Sequence, residues 1–179
     1  MNSTKQTVLM FVGPDMCGKT NISQELSRRL QVPYFKPSEE KLTFLNNQEK
    51  FILDTRYADT RMADFLKQTN HSVIFDRGYP CEWVYSRFFN RKTDDDALKH
   101  VDEIHSQIGT KVIIPFRLSY DNITDDLDPS IKGDKLIKLE KLYREFSKWT
   151  KLKCMFLNVD SKSIDEEISE IMKFIEVNV

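Results

Sequence analysis

The residues best suited to chemistry are gathered near the start of the chain. Gly13, Pro14, Asp15, Met16, Cys17, Gly18, Lys19 and Thr20 read GPDMCGKT and fit the spacing GxxxxGK[ST] in full. Glycines at the two ends let a loop curl until its backbone N–H groups converge on phosphate oxygens. A helix that begins where the loop ends turns its positive N-terminus toward the same anion. Lys19 brings a cation to the β- and γ-phosphates of ATP, and the Thr20 hydroxyl suits Mg²⁺. A glycine-rich turn that binds nothing is the bland alternative. Against it, an apolar strand, the loop and a helical pattern follow one another in the order this chemistry needs.

A second group lies at VIFD, Val73 to Asp76, with Arg77 next in line. An acidic residue closing a buried strand beside a phosphate loop can hold Mg²⁺ or orient an acceptor. The competing reading is an Asp–Arg turn that caps the next helix. No DxxG occurs outside the phosphate loop and no NKxD occurs at all, so the strings of a GTPase switch are not both present. A phosphate loop without switch motifs, in a chain of 179 residues, points to a small-molecule kinase.

These residues need a scaffold, and the hydrophobic pattern supplies one. TVLMFV (Thr7 to Val12), VPYF (Val32 to Phe35), SVIF (Ser72 to Phe75), KVIIPF (Lys111 to Phe116) and CMFLNV (Cys154 to Val159) are short apolar runs of the buried-strand type. Between them lie helical periodicities. Ile22, Leu26 and Leu30 mark one, and residues 49–68 a second with Phe51, Ala58, Met62, Phe65 and Leu66 as apolar positions. A third runs from Pro80 to Phe89, and a fourth opens at Asp94, Asp95 and Asp96 and stops at Gly109. Leu136, Leu139, Leu142, Phe146 and Trp149 mark the next, and Ile164, Ile168, Ile171 and Ile175 the last. Strands alternating with helices predict an α/β fold, a doubly wound five-stranded parallel sheet with helices on both faces, as one domain over 1–179. Ligands of such a fold gather beyond the carboxyl ends of the strands.

Composition narrows the classes. The chain is 40% hydrophobic and 31% charged, with Lys plus Arg 27 against Asp plus Glu 28, a formal net charge of −1. That balance argues against a general nucleic-acid binder but leaves room for a local basic cleft. Cys17, Cys81 and Cys154 are three and widely spaced, which fits neither a disulfide framework nor a zinc site. His71, His100 and His105 form no metal pattern. No apolar run has the length of a membrane span and none has the form of a signal peptide, so a cytoplasmic protein is expected. Cys17 reads first as a small filler of the loop, with a thiol lowered by the loop dipoles and Lys19 as the sharper alternative.

The sequence resembles the thymidylate kinase group of nucleotide kinases, and more loosely the deoxynucleoside kinases, over most of its length. Thymidylate kinases carry GxDxxGK[ST]; here the acid is Asp15, which the resemblance assigns to the 3′-hydroxyl of an acceptor deoxynucleotide. Their DR pair is matched by Asp76 and Arg77, and the resemblance gives Arg77 the acceptor phosphate. The aromatic that follows is displaced, since Gly78 intervenes before Tyr79. YPCEWVYSR departs from the family wording and offers Glu82, Trp83 and Tyr85 to an acceptor pocket, with helix packing as the alternative. FILDTR resembles the family segment in which an aromatic stacks on the base; Phe51 and Arg56 take those roles, or Arg61 if the register slides. Asp160 to Ser163 resembles the loop beneath the ATP base. The lid, Ser119 to Lys135, is unlike the Arg-rich family lids: it holds Asp121, Asp125, Asp126 and Asp128, and its cations are Lys132 and Lys135 with Arg117 just before. Met16 stands where some members place an arginine.

The resemblance implies ATP- and Mg²⁺-dependent transfer to a pyrimidine deoxynucleoside monophosphate, dTMP or a 5-substituted dUMP, by a homodimer. Two alternatives stay open. A deoxynucleoside kinase would use Asp76 or Glu82 as a base on a sugar hydroxyl. A kinase acting on a 5-hydroxymethyl pyrimidine within DNA would need a local groove for the duplex.

Overall fold

Val8–Phe11 forms the first strand, β1, because all four residues are apolar and can be enclosed on both faces. The computed structural model describes residues 6–37, 48–121, 123 and 130–176, with the side chains of 48–57 and 176 outside that description. After β1 come α1 (Lys19–Leu30), β2 (Tyr34–Phe35), α2 (Gln48–Thr69), β3 (Val73–Asp76), α3 (Tyr79–Phe88) and α4 (Asp95–Gln107). Then follow β4 (Lys111–Phe116), α5 (Asp134–Trp149), β5 (Lys153–Asn158) and α6 (Ile164–Glu176). The five strands are parallel and ordered β2-β3-β1-β4-β5.

The alternation of strand and helix gives the expected five-stranded α/β fold, with differences at the element ends. β2 is shorter than the apolar run Val32 to Phe35, because Pro33 has no N–H for the ladder; its carbonyl still accepts the Ile74 N–H at 2.8 Å. Ser72 stays outside β3 and accepts the Thr7 N–H on its hydroxyl at 2.9 Å. On α2, Ala63 and Leu66 are buried, whereas Phe65 is exposed and packs on His71. Among the described residues, no helix is long and apolar enough to cross a membrane.

The core is centred on the sheet. Leu9, Phe11, Ile74, Ile113 and Ile114 are almost wholly buried, and Leu136, Leu139, Tyr143 and Phe146 of α5 pack with them in the core cluster. Each such side chain contributes roughly 1.5–3 kcal/mol on burial. Asp94 caps α4 as its acidic run suggests, accepting the Ala97 N–H at 3.0 Å. Below it, the buried carboxylate of Asp102 accepts the Tyr79 hydroxyl at 2.5 Å, the Thr150 hydroxyl and the Lys151 N–H at 3.0 Å. That one acid pins α3, α4 and the turn before β5 together. His105 stacks on Tyr79 and contacts the Thr110 hydroxyl at 2.9 Å, so its role is structural.

Register decides what the sheet presents at its carboxyl edge. Phe11 pairs with Asp76, and the Arg77 N–H donates to the Phe11 carbonyl at 2.9 Å. The Asp–Arg pair therefore stands beside the start of the phosphate loop, although more than sixty positions separate them in sequence.

Candidate active site

The loop from Gly13 to Thr20 leaves β1 and runs into α1. Gly13 has φ 147°, and a Cβ there would stand 2.8 Å from the Pro115 carbonyl oxygen. Only glycine lets the loop pass so close to β4. Gly18, at φ 70°, makes the left-handed step that turns the loop into the helix.

Lys19 is almost fully buried within the loop. Its ammonium donates to the Pro14 carbonyl at 2.6 Å and to Asp15 at 3.1 Å. Asp15 also takes the Arg77 guanidinium in an ion pair and the Tyr85 hydroxyl at 3.2 Å. Two cations and a phenol thus share one carboxylate. Burial works against the charge of Arg77, but Asp15, together with Cys81, Tyr85 and Tyr143, outweighs it and holds the guanidinium protonated. Burial, with the charge of Asp15, pushes the Tyr85 phenol well up, so it stays a donor. Arg77 itself has φ 80°, a conformation that costs a non-glycine residue roughly 1–3 kcal/mol and is typical of functional turns.

Asp76 forms the second node. It is buried and accepts the Thr20 hydroxyl at 2.6 Å and the Tyr34 hydroxyl at 2.9 Å, while the Lys36 ammonium lies 3.7 Å away. Thr20 and Asp76 bring two hard oxygens together on the phosphate side, the donor type Mg²⁺ takes alongside nucleotide phosphates and water. Among the described residues, no group of three or more His, Cys, Asp or Glu is placed to hold a metal by itself.

The remaining sequence expectations divide. Arg117 lies at the shoulder of the loop, donating to the Met16 carbonyl at 2.9 Å and to Asp160 at 3.1 Å. Asp160 also accepts the Leu118 N–H at 2.6 Å, so it braces the turn after β5 against β4. Lys132 and Lys135 are exposed around the start of α5. Asp125, Asp126 and Asp128 lie outside the described residues, as do the side chains of Phe51 and Arg56 on α2.

One candidate and one alternative need correction. Trp83 packs between Phe146 and Trp149, at 5.6 and 5.7 Å, with the Arg87 guanidinium over its ring. It is a core residue, turned away from the helix face that carries Tyr85. For Cys17 the alternative of a lowered thiol fails and the filler agrees with its full burial: burial outweighs the pull of Lys19 and raises the thiol, which sits 3.8 Å from the Tyr120 hydroxyl. Glu82 is buried and paired with Arg91 at 3.1 Å. Sequence reasoning overlooked Tyr34 and Lys36. Their signal was positional, at the carboxyl end of the second strand, where such folds place ligands.

No family model matches this chain, and no curated protein matches it in sequence. Solved structures do match. YorR protein from Bacillus subtilis, solved in complex with phosphorylated GDP, aligns at TM-score 0.70 and 25% identity, covering 96% of each chain. Thymidylate kinase from Ehrlichia chaffeensis aligns at TM-score 0.64 and 15% identity over 94% of this chain and 98% of that one. Deoxyadenosine kinase from M. mycoides aligns at 0.57 and 20% identity over 96% and 99%. The chain has the fold of the P-loop nucleotide kinases.

Proposed function

We propose that this protein transfers the γ-phosphoryl group of ATP, with Mg²⁺, to a deoxynucleoside monophosphate, a pyrimidine such as dTMP or a 5-substituted dUMP. The observation that carries the reading is the convergence of Lys19, Arg77 and Tyr85 on the Asp15 carboxylate inside the phosphate loop. The neighbour at 25% identity was solved with phosphorylated GDP, which supports a nucleotide ligand for this chain.

In this reading the loop amides and the N-terminus of α1 hold the triphosphate. Lys19 leaves Pro14 and Asp15 for the β- and γ-phosphates. Thr20 and Asp76 would hold Mg²⁺, which when bound would spread the charge of the transferring group. Arg77 draws the acceptor phosphate into line, and Asp15, with Tyr85 donating to it, positions the deoxyribose. An acceptor phosphate is already anionic, so positioning and charge carry the catalysis and no strong base is needed. Arg117 borders the adenosine end of the loop, and the segment 119–135 serves as the lid of a single kinase domain.

The test is an ADP-release assay against a panel of deoxynucleoside monophosphates with MgCl₂. Turnover of a pyrimidine monophosphate is expected. No turnover with any of the panel sinks the proposal, and turnover of thymidine but not dTMP moves the reading to a nucleoside kinase.

A further inference from the structure

Lys36 has no part in the roles given above, yet it stands at the carboxyl edge of the sheet beside Asp76. It follows directly on β2, whose register sets Tyr34 beside Ile74 and Phe35 beside Phe75. Lys36 is therefore level with Asp76, one strand from Arg77 and on the side away from β1. Neighbouring strands lie about 4.8 Å apart, within easy reach of a lysine stem. The ammonium, about one-third exposed, sits 3.7 Å from the Asp76 carboxylate. That same carboxylate is the oxygen donor beside Thr20.

Asp76 cannot serve a lysine and a divalent cation equally. The Lys36 contact is long, partly solvated and so weak. A Mg²⁺ ion held by Thr20, Asp76 and nucleotide phosphates is a far stronger competitor for that oxygen. Once displaced, Lys36 stays at the carboxyl edge of the sheet, on the same flank as Arg77. A free cation there complements an anion, and on the side of β3 away from β1 and its phosphate loop that anion is the acceptor's phosphate. A nucleoside kinase has no use for it, since a neutral hydroxyl calls for a carboxylate.

We infer that Lys36 is a second acceptor-phosphate ligand, stored on Asp76 and released to the acceptor when Asp76 turns to Mg²⁺. Loading of the donor site thereby prepares the acceptor site. This rests on the reading above of a phosphate-bearing acceptor, and it assigns to β2 a cation that the acidic lid sequence does not supply.

The experiment is calorimetric titration of the four common 2′-deoxynucleoside 5′-monophosphates, and their nucleosides, into the full chain. A β,γ-imido analogue of ATP is present throughout, with either MgCl₂ or EDTA. For the monophosphate that the wild type binds best, Lys36→Gln is expected to lose about tenfold in affinity in MgCl₂, within the usual range of site-to-site coupling. The matching nucleoside should bind unchanged, and Lys36→Arg should hold the nucleotide to within about threefold. In EDTA, where Lys36 remains on Asp76, the Lys36→Gln loss should shrink to about twofold or less. Equal losses for nucleotide and nucleoside, a loss of the same size with and without Mg²⁺, or no loss at all overturns the inference. If the wild type phosphorylates a monophosphate and Lys36→Gln binds it normally, this inference falls alone. If the wild type binds no monophosphate, the proposed function falls with it.

Discussion

At the residue scale, the site economises on charge. Asp15 neutralises part of two cations while leaving both within reach of phosphate, so the loop can be dry without being repulsive. Lys19 should then be dispensable for folding and needed for transfer. Lys19→Met is expected to lower kcat by about 10³-fold, as removal of a single transition-state donor does, with an unchanged far-UV circular dichroism spectrum. Steady-state kinetics on the accepted substrate checks this, and a loss under tenfold contradicts the role. Cys17 gives a second expectation. Because burial pushes its thiol up, iodoacetamide at pH 7.5 should label Cys17 far more slowly than a free cysteine peptide. Peptide mapping by mass spectrometry reads the rate, and rapid labelling at Cys17 would show that the loop opens.

Elements fix these residues through a few contacts of high consequence. The close pass of Gly13 under the Pro115 carbonyl is one. Gly13→Ala must move the loop or β4, and the strained φ adds to the steric conflict. We expect nucleotide affinity to fall at least tenfold and stability by about 1–3 kcal/mol, by urea denaturation. Asp102 is another. It satisfies donors from α3, from α5's end and from the turn into β5. Asp102→Ala leaves those donors buried without an acceptor, at an expected cost of about 2–5 kcal/mol. Denaturation midpoints measure it, and a change below about 1 kcal/mol would show that these donors find other acceptors.

At the scale of the whole molecule, burial of His105 ties stability to pH. Burial lowers its pKa from 6.5 to about 4, so the folded chain keeps it neutral where the unfolded chain protonates it. The stability it contributes is full above pH 6.5 and is lost as pH falls from 6.5 toward 4, by about 3 kcal/mol at most. Urea denaturation at pH 7.5, 5.5 and 4.5 should show that slope, flattened in His105→Gln; equal slopes in both proteins contradict it.

By itself the sequence determined the phosphate loop, the alternation of strands and helices, and the acidic cap of α4. These are local properties, carried by spacing, periodicity and short-range hydrogen bonds. The pairing of Asp76 with Phe11, the convergence of Arg77 and Tyr85 on Asp15, and the placing of Lys36 beside Asp76 belong to tertiary structure alone. Trp83 and Cys17 show the same limit from the other side. A helical pattern tells that residues share a face, but not which face meets the core, so an aromatic in a functional stretch became packing. A thiol next to a lysine is lowered only if water reaches it, and desolvation in the closed loop reversed the sign.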